Sequence, residues 1–207
     1  MAETAPAIEL RGLRREFGER VAFAGIDLAV PSGSTLAVLG PNGSGKTTLL
    51  RVLAGLLRPS GGEARVLGCE LPAESWKLRG RIGYLGHDPL LYRDLTAREN
   101  LRFVARLHGL DRAGAESRIE QLLAAVGMDR RADDRVAEFS AGMAQRVAVC
   151  GALLTEPELL LLDEPEAHLD ARAREASEAL LAANGRTRVI VSHERKRASA
   201  DAVLELR

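Results

Sequence analysis

A glycine-rich segment at residues 40–47, with the sequence GPNGSGKT, constrains the fold of this chain more than any other feature. It matches the pattern GxxxxGK[ST] without a mismatch, follows an apolar run at residues 35–39 and precedes a second apolar segment at residues 47–57. The first run predicts a strand and the second predicts a helix, which is the context that a phosphate-binding loop requires. We therefore expect an α/β fold in which backbone N–H groups of the loop and of the helix start bind phosphate.

Two side chains of the loop have chemistry that a bound nucleotide would use. Lys46 is expected to reach the β- and γ-phosphates, and the Thr47 hydroxyl is expected to coordinate Mg²⁺. Such a loop occurs in GTPases, nucleotide kinases and many ATPases, but the guanine-reading pattern NKxD is absent from the sequence, which argues against a GTPase. The predicted nucleotide-binding residues of this segment are Gly40, Pro41, Asn42, Gly43, Ser44, Gly45, Lys46, Thr47 and Thr48.

Another apolar run, at residues 159–162, ends in two adjacent carboxylates, Asp163 and Glu164. A buried strand there would bring Asp163 to the phosphate loop, where its carboxylate could hold Mg²⁺ directly or through water. The side chain of Glu164, the next residue, would point in a different direction and could polarise the attacking water. Such general-base assistance is typically worth about 10²–10⁴-fold in rate. We therefore predict Asp163 and Thr47 as metal ligands, and Glu164 and Lys46 as catalytic residues.

Strand-like runs alternate with helical patterns along the chain, which predicts a mainly parallel sheet. Further strands are predicted at residues 26–30, 63–67, 81–85, 189–192 and 202–206, and helices at residues 96–108, 112–126, 141–154 and 171–183. The helices in the middle predict a helical subdomain at about residues 88–155, inserted in a single domain that spans residues 1–207.

Residues 139–146, with the sequence FSAGMAQR, stand shortly before the acidic run and resemble the signature motif of the ABC transporter ATPases, usually written LSGGQ. The other motifs occur in that family's order: residues 167–170 (AHLD) match its D-loop, and residues 191–193 (VSH) match its switch histidine. The resemblance implies the ABC ATPase fold, with a mainly parallel core sheet, a small antiparallel β part and an inserted helical subdomain.

The same resemblance implies roles for the matching residues and for the assembly. Phe17 would stack on adenine, His193 would act in catalysis as a γ-phosphate sensor, and Asp170 would belong to the D-loop. The signature residues that would contact the partner's ATP are Ser140, Ala141, Gly142 and Met143. Two copies would then form a head-to-tail homodimer around two ATP molecules with Mg²⁺, and the dimer would drive integral membrane permease subunits. Three signature positions depart from the family pattern, namely Phe139, Ala141 and Met143.

A further departure lies after the strand predicted at residues 81–85. Most of the family has a glutamine there that contacts Mg²⁺, whereas this chain has Gly86, His87, Asp88 and Pro89. A ring nitrogen of His87 could take part in a hydrogen-bonded link to the metal, and the Asp88 carboxylate could instead supply the metal's oxygen. The sequence leaves these two candidates open.

The segment at residues 85–87 (LGH), together with residues 94–101 (DLTARENL), resembles the ATPase of the haem exporter used in cytochrome c maturation. The expected function is therefore ATP hydrolysis for haem export. The alternatives are the ATPase of another small-molecule, drug or lipid exporter, and a soluble ABC ATPase scaffold of the iron–sulfur assembly type. A permease helix would dock on an apolar groove near residues 87–92.

Charge and hydropathy bear on partners and location. The 29 basic residues balance the 29 acidic residues, so bulk charge gives no reason to expect a nucleic-acid partner. No apolar run approaches the roughly 18 residues that a membrane-spanning helix needs, and the first residues lack the features of a signal peptide. We therefore expect a cytoplasmic protein that is peripheral on the inner face of the cell membrane through its permease.

Overall fold

Within the residues that the structure describes, 5–192 and 200–207, the strands form an antiparallel sheet and a parallel sheet. The structure is a computed structural model. Its strands are β1 (Ile8–Phe17), β2 (Arg20–Val30), β3 (Thr35–Leu39), β4 (Gly61–Val66), β5 (Cys69–Leu71), β6 (Ile82–Leu85), β7 (Leu159–Asp163), β8 (Thr187–Val191) and β9 (Ala202–Glu205). The antiparallel sheet has the order β2-β1-β4-β5, and the parallel sheet has the order β6-β7-β8-β3-β9.

Helices connect the strands of the parallel sheet. The α-helices are α1 (Lys46–Leu53), α2 (Ala97–Leu107), α3 (Arg112–Ala125), α4 (Ala141–Leu153) and α5 (Ala171–Ala182). Helix α2 begins with the capping box that the sequence predicts: the Thr96 hydroxyl accepts a hydrogen bond from the Glu99 backbone N–H, and the Glu99 carboxylate accepts one from the Thr96 backbone N–H. Among the described residues, none of these helices has the length and apolar character needed to cross a membrane.

The two strands that lead to the candidate site are buried along their whole length. All five residues of β3 and all five residues of β7 are buried, as expected for strands of a parallel sheet that are covered on both faces. Strand β8 lies between them, and Asp163 of β7 pairs with Val191 of β8. Because the strands are parallel, the carboxyl ends of β3 and β7 meet at the same edge of the sheet.

Strand β7 divides its leucines between two hydrophobic cores. Leu159 and Leu161 pack in a core formed with the antiparallel sheet and α1. Leu160 and Leu162 face the other way, into a core built from α2, α3 and α4. Successive side chains of a strand point to opposite faces, so one short strand contacts both cores. The three helices α2, α3 and α4 lie in the chain between β6 and β7, in the region where the sequence predicts a helical insertion.

The predicted elements agree with the structure to within two residues at either end, with four exceptions, one of which is the short strand β5, which was not predicted. The strand predicted at residues 26–30 is only the last part of β2, and β1 was not predicted. Strand β1 carries several charged residues, and its pairing with β2 has irregularities between Leu10 and Leu13, so it lacks a clean alternation of apolar side chains. The helix predicted at residues 47–57 ends at Leu53, because Gly55 has a left-handed φ of 71°.

Replacing Leu160 by Ala is expected to destabilise the chain. Leu160 is fully buried where β7 meets the helices, so the change removes apolar contacts and leaves a cavity that costs about 2–5 kcal/mol of unfolding free energy. Chemical denaturation monitored by circular dichroism would measure the loss. Val203→Ala, at a half-exposed position on β9, is the matched control and should change stability far less. Equal effects of the two substitutions would contradict the proposed packing.

Candidate nucleotide-binding site

The phosphate loop connects the end of β3 to the start of α1, as the sequence predicts. Two of its glycines are required because other backbone atoms lie too close for a side chain and because their φ angles are positive. A Cβ on Gly40 would lie 2.5 Å from the Leu206 carbonyl oxygen, and a Cβ on Gly45 would lie 2.5 Å from the Ala22 carbonyl oxygen. Both residues also have positive φ angles, 152° and 90°. The loop is therefore held between the end of β9 and the start of β2.

Lys46 is the first residue of α1 and is almost completely buried. Its ammonium group donates hydrogen bonds to the carbonyl oxygens of Gly40 and Pro41, at 2.8 and 2.9 Å. These bonds hold the positive charge against the loop, in the position where a phosphate group would approach it. The helix N-terminus adds the positive end of its dipole at the same place.

Thr47 and Asp163 are 116 residues apart in the sequence and meet at this site. The Thr47 hydroxyl donates a hydrogen bond of 2.6 Å to the carboxylate of Asp163, which is 2% exposed. Hydroxyl and carboxylate oxygens are ligands that Mg²⁺ prefers, and Mg²⁺ commonly completes its shell with phosphate oxygens and water. The two residues therefore fit the predicted metal. When bound, the ion would neutralise charge on the phosphates.

Tyr84 lies near this carboxylate on the neighbouring strand β6. Burial raises the pKa of its hydroxyl, and the negative charge of Asp163 adds to that effect, whereas a hydrogen bond with Arg51 opposes it. The phenol is thus a neutral neighbour of the Asp163 carboxylate at neutral pH.

Glu164 follows β7 with a left-handed φ of 52°, and its backbone N–H donates to the Val191 carbonyl oxygen. The Glu164 carboxylate lies 3.5 Å from Nδ1 of His87. His87 also lines the cavity above the phosphate loop, whereas the exposed Asp88 is not among the described residues that line it. Of the two candidates that the sequence leaves open, the structure therefore brings His87, and not Asp88, to the carboxylates.

A cavity of about 550 Å³ lies over the phosphate loop. Phe17 stands at its rim with 48% of its surface exposed, and the guanidinium of Arg15 lies 4.3 Å from the centre of its ring. The residues that line the cavity are Phe17, Arg20, Ala22, Asn42, Gly43, Gly45, Lys46, Thr47, Thr48, His87, Asp163 and Glu164. The predicted base-stacking residue, phosphate loop, metal ligands and catalytic glutamate thus share one cavity.

The four signature residues lie elsewhere. Ser140 is the N-cap of α4, and its hydroxyl accepts a hydrogen bond of 3.2 Å from the Met143 backbone N–H. Ala141 follows it at the exposed start of the helix. None of the four is among the described residues that line the nucleotide cavity of the same chain.

The start of α4 packs tightly against residues 167–170. A Cβ on Gly142 would lie 2.5 Å from the carbonyl oxygen of His168, which itself has a left-handed φ of 63°. Asp170 is the N-cap of α5, where its carboxylate accepts a hydrogen bond of 2.8 Å from the Ala173 backbone N–H. The remaining predicted residue, His193, lies outside the described part of the chain.

Two residues near the site were not predicted from the sequence. Arg20 lines the cavity, and the two-residue turn at Gly18 and Glu19 is the signal that would have placed it opposite Phe17. Gln145 of α4 is buried, and its side-chain amide donates to the Pro165 carbonyl oxygen next to Glu164. No local pattern marks Gln145, because its burial depends on the packing of α4 against the end of β7.

Comparison with known proteins gives a consistent family match. A family model described as ABC transporter matches residues 23–167. The daunorubicin resistance ATP-binding protein DrrA3 of Streptomyces coeruleorubidus is 41% identical over 174 residues, which cover 84% of this chain and 54% of that protein. The Nod factor export ATP-binding protein I of Cupriavidus pinatubonensis is 38% identical over 190 residues, which cover 90% of this chain and 58% of that protein. The chain thus spans little more than half the length of these relatives.

Two solved structures resemble the whole described fold. The ATP-binding subunit of an ABC transporter superposes with a TM-score of 0.88 at 30% identity, covering 97% of this chain and 85% of that chain. A dimeric ATP-binding cassette in a post-hydrolysis state, bound to ADP and Pi, superposes with a TM-score of 0.87 at 26% identity, covering 97% of this chain and 94% of that chain.

Replacing Lys46 by Ala is expected to weaken ATP binding by about 10- to 150-fold, the range for losing a hydrogen bond to a charged group. Isothermal titration calorimetry of the purified chain with ATP and Mg²⁺ would measure the change. Lys77→Ala is the control, because Lys77 is a partly exposed lysine that packs on Trp76. Unaltered affinity in Lys46→Ala would contradict the assignment of the loop, provided that circular dichroism shows the variant to be folded.

Proposed function

We propose that this chain, which belongs to the ABC transporter family, is the ATP-hydrolysing subunit of an exporter and works with separate membrane-spanning permease subunits. Its fold confirms the class predicted from the sequence, an ABC ATPase fold with a parallel sheet and a small antiparallel sheet. The observation that carries the proposal is the hydrogen bond between Thr47 and Asp163, because it joins the phosphate loop to the strand that delivers Glu164.

The proposed reaction assigns one task to each group in the cavity. Lys46 and the loop N–H groups would hold the phosphates, and Thr47 and Asp163, which are joined by a hydrogen bond, would hold Mg²⁺. The Glu164 carboxylate accepts a hydrogen bond from the attacking water and orients it towards the γ-phosphate. His87 lies beside that carboxylate and takes the position of the family's glutamine. Phe17 stacks on the adenine ring from the rim.

A head-to-tail homodimer accounts for the position of the signature residues. Ser140, Ala141, Gly142 and Met143 surround the N-terminus of α4, where backbone N–H groups and the helix dipole favour a phosphate group. Since they lie away from the cavity of their own chain, the phosphate that they contact would be bound by a second copy. The dimeric cassettes among the structural relatives, which are 26–28% identical, support this arrangement.

An exposed apolar surface supports docking on a permease. It includes Tyr92, Phe103 and Leu107, which are 56%, 38% and 59% exposed, and Leu90, which is 81% exposed, lies two residues before Tyr92 in the chain. The rings of Tyr92 and Phe103 are in edge-to-face contact with centroids 5.1 Å apart, and Phe103 and Leu107 share one face of α2. Adjacent apolar side chains at the surface are typical of a site that binds another protein, here an amphipathic permease helix. The proposed location is therefore the cytoplasmic face of the membrane.

The cargo that these observations favour is a small organic molecule. The relatives described above are named for daunorubicin resistance and for Nod factor export. We therefore put the export of another small molecule, drug or lipid ahead of haem export. Haem export for cytochrome c maturation remains a second candidate, and its support is the pair Gly86 and His87. A soluble scaffold of the iron–sulfur assembly type would share the nucleotide site, but it gives no reason for the apolar surface.

Glu164→Gln is expected to bind ATP but to hydrolyse it at least about 100-fold more slowly, because a carboxamide cannot take the proton of the attacking water. The ATP-bound dimer should then accumulate, and light scattering after size-exclusion chromatography would detect it. The double variant Glu164→Gln/Ser140→Arg is the matched comparison, and it should bind ATP yet stay monomeric. A dimer of unchanged stability in the double variant would contradict the head-to-tail arrangement, and normal turnover by Glu164→Gln would remove Glu164 from its role.

The exporter assignment predicts a membrane partner. Affinity purification of Glu164→Gln with ATP from gently solubilised native membranes should recover multi-span subunits, identified by mass spectrometry. A cytochrome c maturation protein among the recovered chains would favour haem as cargo, whereas another permease would favour a different small molecule. Recovery of soluble partners alone would overturn the transporter function and favour the scaffold.

A further inference from the structure

Arg20 enters the nucleotide cavity from the hairpin that carries Phe17. The two residues pair across the β1–β2 turn, and both side chains line the cavity. The terminal Nη2 atom of Arg20 lies 3.7 Å from the position that a Cβ on Gly43 would occupy. The guanidinium therefore lies against the middle of the phosphate loop, while its backbone is anchored next to the proposed base-stacking ring.

The Arg20 guanidinium makes no hydrogen bond and no ion pair with any residue in ranges 5–192 and 200–207. The other cations near the site are engaged. Arg15 packs on the Phe17 ring and donates to the Arg58 carbonyl oxygen, and Lys46 donates to two carbonyl oxygens of the loop. Arg20 is thus an exposed cation at the cavity with its donors available to a ligand.

We propose that Arg20 binds the α-phosphoryl group of the nucleotide, an inference that rests on the proposed function. Lys46, Thr47 and Asp163 lie together at the start of α1 and serve the distal phosphates and the metal. Arg20 lies between the loop and Phe17, where the phosphate nearest the base would be. A guanidinium can donate two parallel hydrogen bonds to phosphate oxygens, which matches this position.

A contact to the α-phosphoryl group acts on ATP and ADP alike, unlike a contact to the γ-phosphate. ATP and ADP both contain the α-phosphoryl group, so Arg20 should strengthen the binding of both nucleotides by the same factor. It provides uniform binding energy, which does not distinguish the triphosphate from the product. A γ-phosphate contact would instead strengthen ATP binding alone.

The test compares dissociation constants for ATP and for ADP, each with Mg²⁺, in calorimetric titrations of the purified chain. Arg20→Ala should weaken the binding of both nucleotides equally, by about 10- to 20-fold, the lower end of the range for a hydrogen bond to a charged group. Arg20→Lys should weaken nucleotide binding less than Arg20→Ala does, because the positive charge remains. It should still bind more weakly than wild type, because the two parallel donors of the guanidinium are gone. Arg112→Ala removes an exposed arginine at the start of α3 and should leave both constants unchanged.

The outcomes separate this inference from the proposed function. If the wild-type chain binds neither nucleotide, or if Lys46→Ala binds both normally, the nucleotide function fails and the role of Arg20 fails with it. If the wild-type chain and Lys46→Ala behave as expected but Arg20→Ala binds as tightly as wild type, only the role of Arg20 is overturned. Weakening confined to ATP would overturn the assignment to the α-phosphoryl group.

Discussion

The hydrogen bond from the Thr47 hydroxyl to the Asp163 carboxylate is the interaction on which the candidate site depends. It connects the first turn of α1 to the end of β7, two elements that are far apart in the sequence. Both partners lie in a largely buried setting, where a hydrogen bond to a carboxylate is strong and an unpaired carboxylate would be costly. The phosphate loop, the proposed metal ligands and Glu164 take their positions from this junction.

Much of this site can be predicted from the sequence, because its parts are local. The loop at residues 40–47 is defined by three glycines with positive φ angles, two of which leave no room for a side chain, and the strand before it is a short buried run. The acidic pair after β7 is equally local. What brings them together, the order of strands in the parallel sheet, follows from the family resemblance and not from either motif alone.

The parts that escaped prediction depend on tertiary packing or on irregular pairing. Strand β1 was missed because its charged residues and its irregular pairing with β2 hide the two-residue period. With β1 missing, the hairpin could not be recognised, and the position of Arg20 opposite Phe17 went unnoticed. The choice between His87 and Asp88 depended on which way a short loop turns, which the structure shows through the contact of His87 with Glu164 and its place in the cavity lining.

The leucines of β7 have a consequence for how the strand is aligned during folding. Four consecutive leucines supply apolar side chains to both faces, so the leucines do not by themselves determine which face of β7 meets which core. A slip by one residue would exchange the leucines between the cores and would turn the Asp163 side chain away from Thr47. The buried carboxylate would then lack its donor, which makes the slipped alignment unfavourable. Asp163, the residue proposed to hold the metal, therefore also favours the correct register of the strand that carries it.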